Sequence, residues 1–252
     1  MYFHKICQKL STFSLILCLL FLNFSVYGKE GEEHPKGKVG IVYLHSVGAD
    51  GNQFYHLLDD LIKKWGFPVP DSSRYAVYTP TAQDRTWFDL TVFTENISSL
   101  SSQQPAVIRQ RLIQDNPQLR QLKTGVEGFM TQQGITYENL HLFGYSQGSI
   151  QAQLLFPLLE RPCHSLLIAG APWLYPDPPH KNLPKKVILG MNTNDPIFPN
   201  LIHQMTWGTF QNTMKMETET FNQRFEVVLS DEGHEISKAM KQRVVEHLKT
   251  VF

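Results

Sequence analysis

The chain has 252 residues, of which 42% are hydrophobic and 18% are charged, and its 23 basic and 23 acidic side chains leave no formal net charge at pH 7. The chain lacks the excess of basic residues that binds a polyanion, which argues against a nucleic-acid-binding protein. The length and the hydrophobic fraction favour one globular domain with a sizeable core.

Residues 1–28 differ in character from the rest of the chain. A basic start is followed by the apolar run FSLILCLLFL at 13–22, and small residues up to Gly28 suit a cleavage site. The run is short against the roughly 20 apolar residues that span a bilayer, which disfavours the alternative of a retained membrane anchor. The pattern therefore predicts a secretory signal peptide, and a secreted or periplasmic mature protein, 29–252, with no stable membrane span.

Strand and helix patterns alternate along the mature chain, which is typical of an α/β domain with a mostly parallel central sheet and helices on both faces. β-branched and aromatic runs indicate the strands, and apolar residues three and four apart indicate the helices. In the first half of the chain the patterns predict a strand at 38–45, a helix at 53–65, a strand at 75–81, a loop at 90–104 and a helix capped by Asn116 with Pro117 in its first turn. They then predict a strand ending near Phe143, a helix at 147–160, and strands at 165–170 and 185–191. A helix near 200–214, a strand at 224–230 and a final helix with Ile236, Met240, Val244 and Leu248 on one face complete the predicted elements.

The stretch LHLFGYSQGSI at 140–150 places Ser146 between two glycines, after an apolar strand and before a helix. In a sharp strand-to-helix turn, Gly144 and Gly148 keep side-chain bulk away from the neighbouring elements while the serine hydroxyl points into the open. This arrangement is a nucleophile elbow. A G-x-S-x-G match alone occurs often by chance, so the interpretation depends on the rest of the chain.

A serine nucleophile needs a base and a third group that orients the base, and in this fold the chain order is serine, acid, histidine. Asp195 follows an apolar strand in NTNDPIFP, and His234 follows the last strand in SDEGHEIS. Alone, Asp195 is an ordinary turn residue and His234 one histidine among ten. Three suitable residues in the right order, each at a strand end, predict a catalytic triad of Ser146, Asp195 and His234.

The chemistry also requires an oxyanion hole, which is formed by backbone N–H groups aimed at the developing negative oxygen. One N–H belongs to Gln147, directly after the serine. The other is expected in the glycine-containing loop of YLHSVGADGNQF at 43–54, although a plain turn is the alternative interpretation. No cofactor is expected, and no metal, because the sequence lacks His-Glu-x-x-His and Cys/His patterns with ligand spacing.

Five motifs, LHSVGADGNQF, RTWFDL, GYSQGS, NDPIFP and GHEIS, together resemble the phospholipase/carboxylesterase family of α/β hydrolases, over about 38–250. This group includes acyl-protein thioesterases and small bacterial carboxylesterases. The resemblance implies the α/β-hydrolase fold and the same triad. It also implies that the backbone amides of Val47 and Gln147 form the oxyanion hole, and that Trp87 and Phe88 are substrate-binding candidates. Core packing is the alternative for those two aromatic residues.

The sequence departs from the family pattern at two loops. Ser46 replaces the usual glycine of the first loop, and Asn192 lies where the family commonly has glycine in the loop before Asp195. Both changes raise the question of whether the loops keep their shape.

The prediction is a secreted serine hydrolase that cleaves carboxylic esters, of the carboxylesterase or lysophospholipase type, with a small ester or lipid as substrate. An acyl-protein thioesterase is a close variant, which secretion disfavours. A binding protein that kept the fold and lost turnover is an alternative of a different class. Cys163, the one cysteine outside the predicted signal peptide, is expected to be a buried structural thiol.

Overall fold

The computed structural model describes residues 37–67, 73–89, 105–174, 181–198 and 218–251, all within one compact unit, Pro35–Phe252. The predicted signal peptide, the predicted loop at 90–104 and the helix expected near 200–214 lie outside the described residues. No helix of the described ranges has the length and apolarity that crossing a bilayer requires.

Strands and helices alternate along the described ranges. The strands are β1 (Val39–Leu44), β2 (Tyr75–Tyr78), β3 (Leu140–Tyr145), β4 (Ser165–Ala169), β5 (Lys186–Asn192) and β6 (Phe225–Ser230). The α-helices are α1 (Asn52–Trp65), α2 (Pro105–Gln114), α3 (Gln118–Gln133), α4 (Gln147–Leu155), α5 (Thr218–Arg224) and α6 (Lys238–Val251).

The six described strands form one sheet in the order β2-β1-β3-β4-β5-β6, and every neighbouring pair is parallel. All residues of β1 and β4 are buried, because a parallel strand covered on both faces needs a continuous apolar run rather than an alternating one. The chain leaves β1 towards β2 on one side and returns to β3 on the other. Ligand sites of open α/β sheets lie at such a reversal, beyond the carboxyl ends of the strands.

Successive side chains of one strand enter two different core clusters, because they point to opposite faces of the sheet. Val42 and Leu44 of β1 belong to the cluster that includes residues of α3 and α4. Ile41 and Tyr43 belong to the cluster that includes residues of α1 and α6. The predicted fold, a parallel sheet with helices on both faces, is confirmed.

Three local features differ from the sequence-based expectation. Helix α2 was not predicted, because it has a weak apolar period and Leu112 is its one buried residue among those whose exposure is described. Helix α3 begins at Gln118 with Pro117 as its N-cap, one residue later than expected. Helix α4 ends at Leu155, before a 3-10 turn, Phe156–Leu158, because a proline interrupts the backbone hydrogen bonds of an α-helix.

Cys163 is fully buried just before β4, as the sequence indicated. Burial raises the pKa of its thiol to about 12. A thiol that stays protonated in the core has the character of a packing residue rather than of a nucleophile.

Candidate active site

Ser146 lies on the sharp turn between β3 and α4. Its backbone has φ 53° and ψ −120°, a conformation that residues with a side chain rarely adopt, and its N–H donates to the carbonyl of Ala169 at 2.8 Å. Strain of this kind costs roughly 1–3 kcal/mol and persists only where the surrounding structure imposes it. The turn is therefore held in place by β4.

Glycine is required at both positions beside Ser146, because neighbouring backbone atoms approach them closely. A Cβ atom at Gly144 would lie 2.4 Å from the carbonyl oxygen of Gly148, and one at Gly148 would lie 2.0 Å from the carbonyl oxygen of Leu44. Real Cβ atoms do not approach backbone oxygens so closely. The role expected for both glycines is confirmed, and the start of α4 packs directly against the end of β1.

We expect Gly148→Ala to lower the free energy of unfolding by about 3 kcal/mol, because backbone atoms of β1 must move to admit the methyl group. Gly128→Ala on α3 is the matched control. A Cβ atom there meets nothing within 4 Å, so this variant should be neutral or stabilised by up to about 1 kcal/mol. Urea unfolding of both variants measures the difference, and equal stabilities would contradict the close packing of α4 on β1.

The structure brings the three residues of the predicted triad together at the carboxyl edge of the sheet. The imidazole of His234, between β6 and α6, has its Nδ1 atom 2.8 Å from Asp195 Oδ2 and its Nε2 atom 2.8 Å from Ser146 Oγ. Asp195 follows β5, and its side chain is 0% exposed. The three groups form a continuous hydrogen-bonded chain.

The environment of Asp195 keeps its carboxyl group ionised. Burial alone would raise its pKa, but hydrogen bonds from His234 and from the backbone N–H groups of Phe198 and Ile197 outweigh burial, so the pKa lies below its ordinary value. The two amides donate to Oδ1 at 3.0 and 2.8 Å. A buried carboxylate with this set of donors is a fixed negative charge next to the imidazole.

The hydrogen bonds also indicate which nitrogen of His234 carries the proton. An ionised Asp195 can only accept, so Nδ1 donates to it and Nε2 is left to accept the hydroxyl proton of Ser146. This is the tautomer that a general base requires.

The first loop, which contains Val47, is held by contacts that the sequence did not reveal. The side chain of Gln53 on α1 accepts from the N–H of Ser46 at 2.9 Å and donates to the Ser46 hydroxyl at 2.9 Å. Gly48, at φ 75°, donates its N–H to the carbonyl of Arg85 at 2.9 Å. Ser46, at the position where the family usually has glycine, is thus held through both its backbone N–H and its hydroxyl group.

The segment with Trp87 and Phe88 is tied to Gln147 and to His45, at the start of the first loop. The side chain of Gln147 accepts from the N–H of Trp87 at 3.0 Å and donates to the carbonyl of Phe88 at 2.8 Å. The indole N–H of Trp87 donates to the carbonyl of His45 at 2.8 Å, two residues before Val47. This segment therefore braces the first loop against the start of α4.

Trp87 and Phe88 are themselves buried, at 2% and 5% exposure, within the core cluster on the α4 side of the sheet. Packing is thus the role that their contacts describe, and contact with a substrate stays a prediction. Among the described residues, no group of three or more His, Cys, Asp or Glu side chains is placed to hold a metal ion.

The sheet order, the elbow and the position of the site define the α/β-hydrolase fold. Solved structures with this fold include esterase PE8, with a TM-score of 0.59, 14% identity and coverage of 86% of this chain and 94% of that one. SOBER1 of Arabidopsis thaliana has a TM-score of 0.56, 15% identity and coverage of 84% and 98%.

A phospholipase/carboxylesterase from Dyadobacter fermentans has a TM-score of 0.52, 17% identity and coverage of 85% of this chain and 91% of that one. No family model matches the sequence, and no match was found among curated proteins. Identities of this size show a shared fold, and the resemblance to the phospholipase/carboxylesterase family rests on the five motifs.

Proposed function

We propose that the protein is a serine hydrolase that cleaves carboxylic esters through an acyl-enzyme, with Ser146, His234 and Asp195 as its triad. The observation that carries this proposal is the hydrogen-bonded chain of the three residues, with 2.8 Å at each of its two links to His234. Esterases among the solved structures of the same fold support it.

The reaction begins when Ser146 Oγ attacks the ester carbonyl carbon and its proton moves to His234 Nε2. The carbonyl π electrons move to the oxygen, which the backbone amides of Val47 and Gln147 stabilise. As the intermediate collapses, the C–O bond breaks and the alcohol leaves with the proton from His234. Water then attacks the acyl-enzyme by the same route, which releases the acid and restores Ser146.

Two exposed apolar side chains lie on the loops that carry the predicted site. Val47 is 44% exposed on the first loop, and Ile197 is 45% exposed two residues after Asp195. We propose a small apolar ester or a lysophospholipid as substrate, with these two side chains as candidates for contact with its acyl group.

The N-terminal pattern supports export, so we place the mature enzyme, 29–252, in the periplasm or outside the cell. N-terminal sequencing of the exported protein checks this proposal, with Lys29 expected as the first residue. Retention of the apolar run at 13–22 would instead favour the membrane anchor.

A panel of nitrophenyl esters with short to long acyl chains, together with one lysophospholipid, tests the activity. We expect turnover by the purified protein and none by Ser146→Ala, with a chain-length optimum that separates a small-ester enzyme from a lipid enzyme. A thioester of the best acyl chain belongs in the same panel. A higher kcat/KM for the thioester would favour the thioesterase variant, and a folded protein that turns over no member would favour a binding protein.

A further inference from the structure

Three successive backbone carbonyls around His234 are held by side chains from other parts of the site. The amide Nδ2 of Asn192 donates to the carbonyl of Gly233 at 2.6 Å and to that of Glu235 at 2.8 Å. The hydroxyl of Tyr145 donates to the carbonyl of His234 itself at 2.7 Å. The loop that carries the imidazole is thus fixed on both sides of that residue.

Each donor ends a strand that leads to another member of the triad. Asn192 is the last residue of β5, three residues before Asp195, and Tyr145 is the last residue of β3, next to Ser146. The loop of His234 is therefore anchored to the two segments whose side chains its imidazole must reach.

Asn192 suits this task because an amide has two N–H donors and here each has a carbonyl acceptor. Both partners are carbonyl oxygens, so the nitrogen of the amide must face them. Asn192 is 3% exposed, and hydrogen bonds in so dry a place are electrostatically stronger than in water. A glycine, which the phospholipase/carboxylesterase family commonly has at this position, offers no such donor.

Tyr145 also packs beside the imidazole, with ring centroids 5.7 Å apart. Burial is the main cause that raises the pKa of its hydroxyl, to about 12. The hydroxyl therefore remains a donor at neutral pH. Gly170 leaves room for both rings, since a Cβ atom there would lie 3.2 Å from Tyr145 and 3.4 Å from His234.

We propose that Asn192 and Tyr145 are positioning residues, which hold the loop of His234 so that its imidazole bridges Asp195 and Ser146. The expected loss of activity rests on the proposed function, whereas the positioning of the imidazole does not depend on it. Catalytic groups must be held within about 0.5 Å of the productive geometry. The hydrogen-bond partners that orient metal-ligating side chains are a comparable case, and their loss typically costs about 10- to 100-fold.

Asn192→Ala tests the proposal, and Asn194→Ala is its matched control. Asn194 lies two residues further along and is exposed, and its own Nδ2 donates at 2.6 Å to the carbonyl of Asp231, at the start of the loop and three residues before His234, rather than to a carbonyl beside the imidazole. We expect Asn192→Ala to lower kcat about 10- to 100-fold with KM changed less than about twofold, and Asn194→Ala to stay within about twofold of the parent in both.

The second readout is the far-downfield proton resonance of the His234 Nδ1–H bonded to Asp195. It should be sharp in the parent and in Asn194→Ala, and broadened or lost in Asn192→Ala. This readout does not require turnover, so it decides the inference even if the parent hydrolyses no ester and the proposed function fails. An unchanged resonance and an unchanged kcat in Asn192→Ala would overturn the proposal.

Tyr145→Phe keeps the test decisive if Asn192→Ala fails to fold, because it removes one hydroxyl group and leaves the ring in place. We expect a smaller fall in kcat, of about 3- to 10-fold, and the same broadening of the His234 resonance. A parent-like kcat and resonance in this variant would overturn the role of Tyr145.

Discussion

Asp195→Asn is expected to lower kcat for the best ester by about 10⁴-fold while the protein stays folded. The reason lies in the two backbone N–H groups that donate to Oδ1, from Ile197 and Phe198. They will select the amide oxygen of the new side chain, which turns its NH₂ group towards His234. The imidazole must then accept at Nδ1 and carry its proton on Nε2, where it cannot take the proton of Ser146.

Steady-state kinetics with a circular-dichroism melt of each variant measures this effect. Asp59→Asn is the matched control, because Asp59 lies exposed on α1 and pairs with Lys63, an ion pair of a kind that contributes little to stability. It should keep kcat within about twofold of the parent. If Asp195→Asn retained more than about a tenth of the parent kcat, Asp195 would not set the tautomer of His234.

The second large effect is a loss of stability in acid, caused by a cluster of three histidines at the other edge of the sheet. The ring centroids of His141 and His164 are 4.7 Å apart, and that of His247 on α6 lies 5.7 and 5.9 Å from them. Burial, followed by the neighbouring imidazoles, holds the pKa of His141 well below its ordinary value.

The pKa of His247 is lowered to about 3, mainly by burial and then by His164, with Arg243 and Lys186 adding to the effect and Glu226 opposing it. His141 and His247 are thus neutral in the folded protein at pH values where an unfolded chain is protonated. Stability is full above the ordinary histidine pKa of about 6.5 and falls as the pH drops towards the folded pKa.

A histidine with a folded pKa of about 3 costs about 1.4 kcal/mol for each pH unit below about 6.5, so His247 alone costs about 2.7 kcal/mol at about pH 4.5. His141 acts in the same direction, and the loss from His247 is already a considerable part of the roughly 5–15 kcal/mol that stabilises an ordinary domain. We therefore expect the protein to unfold in mild acid, before most of its carboxylates are protonated.

Urea unfolding between about pH 7.5 and about pH 4.5, for the parent, His247→Leu and His56→Leu, checks this expectation. His247→Leu removes one site at which the unfolded chain takes up a proton. The free energy of unfolding of this variant should therefore fall less steeply with acid than that of the parent, and the difference in slope should be about 1.4 kcal/mol for each pH unit. His56 lies exposed on α1, and His56→Leu should follow the parent. Parallel curves for all three proteins would show that the cluster does not govern the acid response.

Most of the fold could be predicted from the sequence, and so could the three side chains that the structure brings together. Local sequence signals were sufficient to predict that Ser146, between its glycines, would meet Asp195 and His234, which follow strand ends. The parallel sheet brings the ends of β3, β5 and β6 to one edge, so residues of the right type in the right order meet there.

The contacts that hold these groups were not visible in the sequence. Tyr145 and Gln147 are ordinary polar residues whose partners, His234 and Phe88, lie 89 and 59 residues away in the chain. The partner of Gln53, Ser46, is only seven residues away, but no known motif pairs the two. Asn192 was noted as a departure from the family pattern, which gave a position but no role. Such pairings depend on how loops meet in three dimensions, and no local period or motif encodes that.

The pairing of Ser46 with Gln53 has an evolutionary consequence. Gln53 accepts from the backbone and donates to the side chain of Ser46, and it also accepts from the hydroxyl of buried Tyr43 at 3.0 Å. A lineage with glycine at position 46 would deprive the half-buried side-chain amide of Gln53 of its hydroxyl acceptor, which is costly. Positions 46 and 53 should therefore covary among the descendants of a common ancestor, and serine at the first should be inherited together with glutamine at the second.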